Sequence, residues 1–341
     1  MSAKKTSPKR AVALNSKRYM IKRRIKSALS LVLVLLVPTV LLWQKQNIYD
    51  WWRLRDFEPS AQIMQLATDT TMNEKTRRLF YVYHPALEDK KAFNEHCRDD
   101  EQTIVLGCYV SGEAIYLFDI TDARLSGIEE VTAAHETLHA AYARLNKKDR
   151  EKVDEMTNRA FSVLNDERLN NTIALYRKQK PETVPNELHS ILGTEARSLP
   201  ADLETYYKRY FTDRLKIVGY SEQYEQAFTD RKNQVAAYDQ QLTTLKQQIE
   251  SLQSSLLQEE TEINSTNAQL NQLRNNDQIA EYNAAVPGYN AKVNAYNKNI
   301  AKLKNLINQY NDIIPKRNAI ASEEQELVDA IDSREVVPPT Q

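Results

Sequence analysis

The sequence predicts an α+β fold that is mostly helical, with a small β-sheet, a long C-terminal antiparallel coiled-coil hairpin and one N-terminal transmembrane helix. Three observations lead to this prediction. The 341 residues include only six glycines, far below the roughly 7% of average proteins, which favours long helices. An apolar run near the N-terminus is long enough to cross a bilayer. Beyond residue 219, apolar residues recur every seven positions, as in a coiled coil.

Charge is distributed unevenly along the chain, although the formal net charge is zero. Residues 1–26 hold ten Lys or Arg and no acidic residue, so the remaining 315 residues carry 36 basic and 46 acidic groups. A nucleic-acid-binding protein needs a basic face on its folded part. The acidic body therefore argues against nucleic acid as a partner.

The predicted membrane anchor covers residues 27–43. Residues 28–43 are apolar at all but three positions, and counting from Ile25 gives 19 residues, which as a helix span roughly 28 Å. Basic residues directly precede this run. By the positive-inside rule, we expect a single-pass cell-membrane protein with a cytoplasmic N-terminus and an extracytoplasmic body.

The outer end of the apolar run contains all three tryptophans of the chain, Trp43, Trp51 and Trp52. Amphipathic indole rings prefer the headgroup layer of a bilayer, so these residues are predicted to form an interfacial belt. A cleaved secretory signal is the alternative to an anchor, but no small-x-small cleavage pattern follows the run. Either interpretation exports the body of the protein.

Changes in composition divide the chain into six segments. The predicted segments are a basic cytoplasmic tail at 1–26, the anchor at 27–43, a juxtamembrane segment at 44–77, a folded domain at 78–218, the coiled coil at 219–333 and a disordered tail at 334–341.

The folded domain begins with a predicted β-α-β-β order. Leu79–Tyr83 is aromatic and β-branched and ends shortly before Pro85, which is typical of a short strand. A helix is predicted over Leu87–Cys97. Residues 103–120 contain two strand-like runs around Ser111-Gly112-Glu113, which indicates a β-hairpin.

Helices are predicted for the rest of this domain. Ser126 and Glu129 have the spacing of a capping box, and the residues from Ile128 to Leu145 include neither Pro nor Gly. Further helices are predicted at 149–165, at 167–179, in a segment that Asn186 caps and that ends before Pro200, and at 201–218.

The two cysteines, Cys97 and Cys108, lie eleven positions apart at a predicted helix-to-strand connection. In an oxidising compartment they can form one disulfide. A zinc site without CxxC spacing and a pair of buried free thiols are the alternatives.

Two heptad series of apolar residues predict the coiled coil. The first series is Val235, Leu242, Ile249, Leu256, Ile263 and Leu270, with Tyr238, Leu245, Leu252 and Leu273 in the companion position. The second series is Ile279, Val286, Val293, Ile300, Ile307 and Ile314, with Tyr282, Tyr289, Tyr296, Leu303 and Tyr310 in the companion position. A turn at Asn275-Asn276-Asp277 would join arms 221–274 and 278–331 as an antiparallel hairpin. Because a proline inside a helix costs about 3 kcal/mol, Pro287 indicates either a kinked second arm or a wider turn over 275–288. We expect the coiled coil to be a rigid spacer or an arm for oligomerisation or for binding a partner protein; a regulatory or targeting arm is the alternative.

The predicted helix from Ile128 carries the motif His135-Glu136-Thr137-Leu138-His139. Histidines four positions apart on a helix project from one face and can share a metal ion. The carboxylate of Glu136 can reach a metal-bound water without being a ligand itself. Zinc makes such a water acidic enough to be deprotonated near neutral pH. The motif therefore predicts a zinc site with Glu136 as general base.

A catalytic zinc needs a third protein ligand, and the predicted helix downstream offers Glu187, His189 and Glu195. HExxH followed by a separate helix that supplies a glutamate resembles the gluzincin group, the thermolysin-like metallopeptidases. In that group the ligand often follows Asn, with a small residue three positions on, which matches Asn186-Glu187 and Ser190. The group usually has an acidic residue four positions after the ligand, where this chain has Ile191. The resemblance thus implies His135, His139 and Glu187 as ligands, with Glu195 as the alternative.

The resemblance also implies groups that bind substrate. His189, Tyr142 and Tyr176 are candidates to stabilise an oxyanion, and we take His189 with Glu136 as the catalytic pair. Ile115–Phe118 resembles the edge strand on which such peptidases bind an extended substrate.

We therefore expect a membrane-anchored, extracytoplasmic zinc metalloendopeptidase that hydrolyses proteins or peptides. The alternative is a cell-envelope coiled-coil scaffold with a structural or inactive metal site. It is motivated by the more than 110 residues of heptad-like sequence.

Overall fold

The computed structural model describes residues 44–97 and 104–334, with residues 26, 36 and 38–41 in addition. The predicted basic tail and most of the predicted anchor at 27–43 therefore lie outside the described residues. Among the helices that are described, none combines the length and the apolar character needed to cross a membrane. The fold is mostly helical, with one three-stranded sheet and two very long C-terminal helices.

Three helices precede the sheet: α1 at 44–54, α2 at Ala61–Asp69 and α3 at Glu74–Val82. The prediction of a strand over Leu79–Tyr83 is therefore wrong. The Asn73 side chain accepts a hydrogen bond from the Thr76 backbone and starts a helix. Because Phe80 and Val82 are then completely buried, tertiary packing outweighs the strand preference of these aromatic and β-branched residues.

The sheet has the strand order β1-β3-β2, with β1 at Ala86–Glu88, β2 at Gly107–Val110 and β3 at Ala114–Phe118. β3 pairs with β1 in parallel and with β2 in antiparallel orientation. The predicted hairpin is confirmed. The predicted helix at 87–97 is found as α4, Lys90–His96, because Leu87 is part of β1 and Asp89 caps the helix.

The motif helix, α5, extends over Ile128–Ala143. The predicted capping box does not form: Gly127 is the N-cap, at φ +100°, and makes no side-chain cap hydrogen bond. Glu129 instead accepts a hydrogen bond from the Ile120 backbone at 2.9 Å. A Cβ at position 127 would lie 3.0 Å from the backbone of Tyr220, so the close approach of a later helix also favours glycine.

Four helices follow α5. They are α6 at Lys147–Ser162, α7 at Glu167–Gln179, α8 at Val184–Thr194 and α9 at Ala201–Tyr207. α8 packs directly on α5, α6 and α7 pack on α8, and α9 packs on α6. The bounds predicted for α7 are confirmed. α8 begins earlier than predicted because Pro185 occupies its first turn, where a missing N–H costs nothing. α9 ends well before residue 218.

The C-terminal hairpin consists of α10, Arg214–Asn275, and α11, Ile279–Ile331. The turn between them lies where the first alternative placed it, and α11 continues through Pro287. α10 also runs through Gly219, so the predicted boundary at 218 falls inside a continuous helix. Near the end of α11, Leu327 is fully buried against Leu125 and Ile128. The start of α10 and the end of α11 thus both pack on the folded domain.

One of the two predicted seam positions of α11 is wrong in its middle part, whereas the companion residues from Tyr282 to Tyr310 are partly buried throughout. Ile300 and Ile307 are 42% and 36% exposed, whereas Leu306 is 9% exposed. Asn299 faces α10, because its side-chain amide donates to Glu259 Oε1 at 2.7 Å. A straight helix drifts by about 20° per heptad relative to a strict seven-residue repeat, which moves the neighbouring positions into the seam.

Candidate metal centre

The helix that carries the HExxH motif is buried along most of its length. Ala133, Ala134, Ala140 and Ala141 are all at most 4% exposed. Such small side chains let neighbouring helices approach closely. α8 uses this space, since a Cβ at Gly193 would clash with Leu138. The close α5–α8 contact is what brings Glu187 to the histidines.

His135, His139 and Glu187 converge on one point. Oε2 of Glu187 lies 3.6 Å from Nε2 of His135, and Oε1 lies 3.6 Å from Nε2 of His139. The two imidazole centroids are 4.6 Å apart, as expected for positions i and i+4 of one helix face. Glu187 is in the first turn of α8, which holds it directly above this face.

These residues fit a metal ion better than they fit each other. Oε2 of Glu187 is buried and has no hydrogen-bond partner, which is costly for a carboxylate oxygen. The 3.6 Å separations are too long for good hydrogen bonds. They are close to the edge of about 3.4 Å in a tetrahedron of roughly 2.1 Å zinc bonds. Two imidazoles and one carboxylate are the ligand set of many catalytic zinc sites.

Glu136 is also near, because ligand atoms of His135, Glu136 and His139 lie within 4.8 Å of one another. The geometry nevertheless favours Glu187 over Glu136 as the third candidate ligand. Glu136 is one position from His135, so its side chain leaves the helix about 100° away from the shared face. Its carboxylate instead accepts a hydrogen bond from the backbone N–H of Tyr109 on β2. Glu136 is therefore beside the metal position and not opposite it.

Ser190 contacts the ring nitrogen of His139 that faces away from Glu187. Its hydroxyl lies 3.3 Å from Nδ1 of His139, which leaves Nε2 directed at Glu187. Metal-binding histidines usually have such a partner on the second ring nitrogen, and it fixes the ring orientation. Ser190 is one turn after Glu187 on α8, so one helix supplies both groups. Sequence reasoning noted Ser190 only as a small residue and missed this contact.

The two glutamates differ in their acid strength. Burial raises the pKa of Glu136 to about 7, and the charge of Glu187 adds to this rise against the opposing effect of His139. For Glu187, burial is outweighed by His135 and His139, which hold the pKa below its usual value. The environment of Glu187 thus favours its ionised form, whereas Glu136 can accept and release a proton near neutral pH, as a general base requires.

A cleft of about 850 Å³ opens over the three residues and is bounded on one side by β2. The prediction that β3, which includes Ile115–Phe118, is the substrate strand is wrong, because β3 is central and paired on both sides. β2 is the edge strand. A Cβ at Gly107 would come within 2.5 Å of Thr132 and 2.9 Å of Glu136, so glycine is needed to bring this strand against α5.

The hydrogen-bond pattern of the hairpin leaves part of β2 available. Phe118 donates to the Leu106 carbonyl, and Cys108 is opposite Tyr116. Because alternate residues of an antiparallel strand face its partner, Gly107 and Tyr109 direct their backbone groups to the open edge. The Tyr109 N–H is used by Glu136. The remaining groups can pair with an extended peptide that lies over the metal position.

Two predicted site residues have other roles in the structure. Glu195 also lines the cleft, but its carboxylate forms an ion pair with Arg168 at 2.7 Å. His189 is 0% exposed, and its Nε2 is hydrogen-bonded to the Tyr206 hydroxyl at 2.9 Å. Burial lowers the pKa of His189 to about 3, so it is neutral. A side chain enclosed in this way cannot reach a substrate, and the prediction of His189 as a catalytic residue is wrong.

The two tyrosines predicted to stabilise an oxyanion both line the cleft. The Tyr142 hydroxyl donates to Asp154 at 2.8 Å and is thereby directed at α6. Tyr176 lies on α7 and contributes to the lining of the same cleft.

The cysteines are joined as a disulfide, with Cα atoms 5.9 Å apart. The bond links the end of α4 to Cys108 in β2. It therefore fastens the edge strand beside the cleft, and neither a zinc site nor free thiols are formed by this pair.

Comparisons of the chain with protein-family models, with curated proteins and with solved structures find no match. The geometry of the site is therefore what supports a function for this protein.

Proposed function

We propose that this protein is a zinc-dependent peptidase. The observation that carries the proposal is the convergence of His135, His139 and Glu187 below an open cleft, with a separate buried carboxylate, Glu136, beside them. This arrangement is the one implied by the resemblance to thermolysin-like peptidases. Zinc held there would polarise the peptide carbonyl and acidify a bound water.

The chain's own residues supply the remaining requirements. Glu136 takes the proton from the attacking water, and its pKa of about 7 suits this role. The Tyr109 N–H fixes the orientation of that carboxylate. The open edge of β2 binds an extended peptide by main-chain hydrogen bonds, and this places the scissile bond over the metal position.

The proposed location is the outer face of a cell membrane. The apolar run at 28–43 and the basic residues before it support a single-pass anchor with the cytoplasmic end first. The disulfide supports an oxidising compartment, since structural disulfides are rare in the cytosol.

A coiled-coil scaffold with an inactive metal site is the second candidate. The length of the hairpin favours it, since α10 has 62 residues and α11 has 53. In that case the metal would hold α5 and α8 together, and the hairpin would carry the function. The two candidates differ in their need for Glu136, which binds no metal in either case.

Glu136→Gln separates them. Zinc should remain bound, while hydrolysis of an unfolded polypeptide should fall by roughly 10²–10⁴-fold, the usual contribution of a general base. Glu130→Gln is the matched control, because this half-buried carboxyl is on the same helix but outside the cleft. Equal hydrolysis by Glu136→Gln and the wild type would contradict the peptidase proposal. A zinc-loaded wild type without hydrolysis would favour the scaffold.

A further inference from the structure

The helix α1 presents an exposed apolar face. Trp51 and Trp52 are 60% and 59% exposed, and Ile48 is 45% exposed. Ile48 lies three and four positions before the tryptophans and therefore shares their side of the helix. Upstream, Leu36 and Leu41 are more than half exposed as well. Within the described residues, exposed large apolar side chains are concentrated in this stretch.

The opposite face of α1 is fastened to the folded domain. The Tyr49 hydroxyl donates to the Gly112 carbonyl at 2.8 Å, in the turn of the β2–β3 hairpin. Asp50 is 8% exposed and binds Arg144 through two hydrogen bonds of 2.9 Å. Arg144 is the C-cap residue of the motif helix. α1 is thus attached both to the edge-strand hairpin and to the end of α5.

This attachment fixes the distance between the apolar face and the metal centre. His135 precedes Arg144 on α5 by about 14 Å, and His139 is nearer. A helix with its side chains is about 10–12 Å across. The metal centre therefore lies within about 25 Å of the tryptophan face.

Among the surfaces that such a face can bind, a lipid bilayer fits best. Two adjacent exposed indoles are the side chains expected at the headgroup layer. The residues immediately before α1 are the apolar run 28–43, preceded by ten basic residues, so the chain arrives at α1 from the predicted bilayer. A neighbouring membrane surface would cover Ile48, Trp51 and Trp52 together.

We propose that α1 lies on the membrane surface and holds the metal cleft close to it, so that the substrates are polypeptide segments next to a bilayer. The substrate class rests on the proposed peptidase function, whereas the membrane contact of α1 does not. The cleft recognises an extended main chain, whatever its side chains. Which polypeptides are cleaved then depends on the distance of the segment from the bilayer surface.

The membrane contact can be tested without any activity. Trp43→Phe leaves Trp51 and Trp52 as the sole tryptophans of the full chain. In vesicles of phosphatidylcholine and phosphatidylglycerol, we expect blue-shifted emission that brominated lipids quench and that aqueous acrylamide reaches poorly. The wild type in the same vesicles shows whether the substitution disturbs insertion. Emission typical of exposed indole, unaffected by brominated lipids in both proteins, would overturn the proposal.

The substrate class is tested with one random-sequence peptide mixture on a lipid tether. In one form the mixture directly follows the lipid, and in the other a polyproline spacer of about 20 residues raises it by about 60 Å. Zinc-loaded full chain in vesicles should cleave the first form only, and both forms equally in detergent. Equal cleavage in vesicles would overturn the inference but keep the peptidase. Cleavage of neither form in detergent would overturn the peptidase itself, and with it the substrate class.

The role of the ion pair has a matched test. Asp50→Asn should reduce the preference for the short tether, because it weakens the link between α1 and α5. Asp56→Asn should retain the preference, because Asp56 pairs with the adjacent Arg55 on the surface. A preference that is unchanged in Asp50→Asn, with the tryptophan emission still blue-shifted, would contradict the proposed link.

Discussion

The candidate metal centre and the helical hairpin differ in how their sequences specify the structure. The metal centre is built from single positions on α5, α8 and β2, and most side chains around it are almost completely buried. The hairpin is built from a repeat, and its best-buried seam residues, Leu256, Leu270 and Leu306, retain 6–9% exposure. Each position at the candidate metal centre thus has one set of neighbours, whereas in the hairpin an adjacent residue can take a place in the seam. We therefore expect substitutions to have larger effects at the candidate metal centre than in the hairpin.

The largest of these effects is expected at Ser190. Ser190→Ala removes the hydroxyl that holds the His139 ring, so zinc affinity should fall about 10- to 100-fold. Thr194→Val is the control, because Thr194 is buried on the same helix and its hydroxyl donates to the Ser190 carbonyl, not to a histidine ring. Competition with a chelator measures both variants. An unchanged affinity in Ser190→Ala would mean that the ring is held by packing alone.

In the hairpin, the seam position is expected to matter more than the heptad position. Leu306→Ala should lower the free energy of unfolding by about 2 kcal/mol, the low end for a buried leucine, because Leu306 is 9% exposed. Ile307→Ala should cost less than about 1 kcal/mol, because Ile307 is 36% exposed. Urea denaturation, followed by the loss of helical circular dichroism, compares the free energies of unfolding of the two variants. The reverse order would restore the heptad that the sequence predicts.

Gly193 is expected to tolerate no methyl group. Its Cβ would clash with Leu138 and lie 2.8 Å from Tyr207, and both side chains are fully buried. Gly193→Ala should therefore destabilise by about 1–2 kcal/mol, after the better helix propensity of alanine is subtracted. Thermal unfolding measures the change. A stabilised variant would show that α5 and α8 can separate.

The corresponding change in the hairpin should have the opposite sign. Gly288 also lies inside a helix, but a Cβ there would meet nothing within 4 Å. Gly288→Ala should stabilise the hairpin by about 0.5–1 kcal/mol through backbone entropy and helix propensity. The same thermal measurement applies. Destabilisation would indicate that the turn of helix after Pro287 needs the freedom of glycine.

Features that depend on local sequence could be predicted. The β2–β3 hairpin follows from its turn residues, the end of α7 from the prolines that come after it, and the pairing of α10 with α11 from the heptads. Glu187 could be chosen over Glu195 because a motif fixed its position relative to Asn186. Each of these features has a local signal in the sequence, which is a turn, a repeat or a motif.

Features that depend on distant neighbours could not be predicted. The residues 79–83 look like a strand, but burial of Phe80 and Val82 makes them helical. β3 is central only because β1 pairs with its far side. His189 is enclosed by tyrosines from α9 and beyond. In each case the structure is determined by tertiary contacts between residues that are far apart in sequence, and such contacts leave no local sequence pattern.

The most direct test of the central claim is the ligand set of the bound metal. Zinc X-ray absorption on the purified full chain should show one zinc per chain with two imidazoles, oxygen donors and no sulfur. Glu187→Gln should weaken binding and change the oxygen donors, and Glu195→Gln should leave the spectrum unchanged. A chain that binds no zinc, or a spectrum that changes with Glu195 and not with Glu187, would contradict the account.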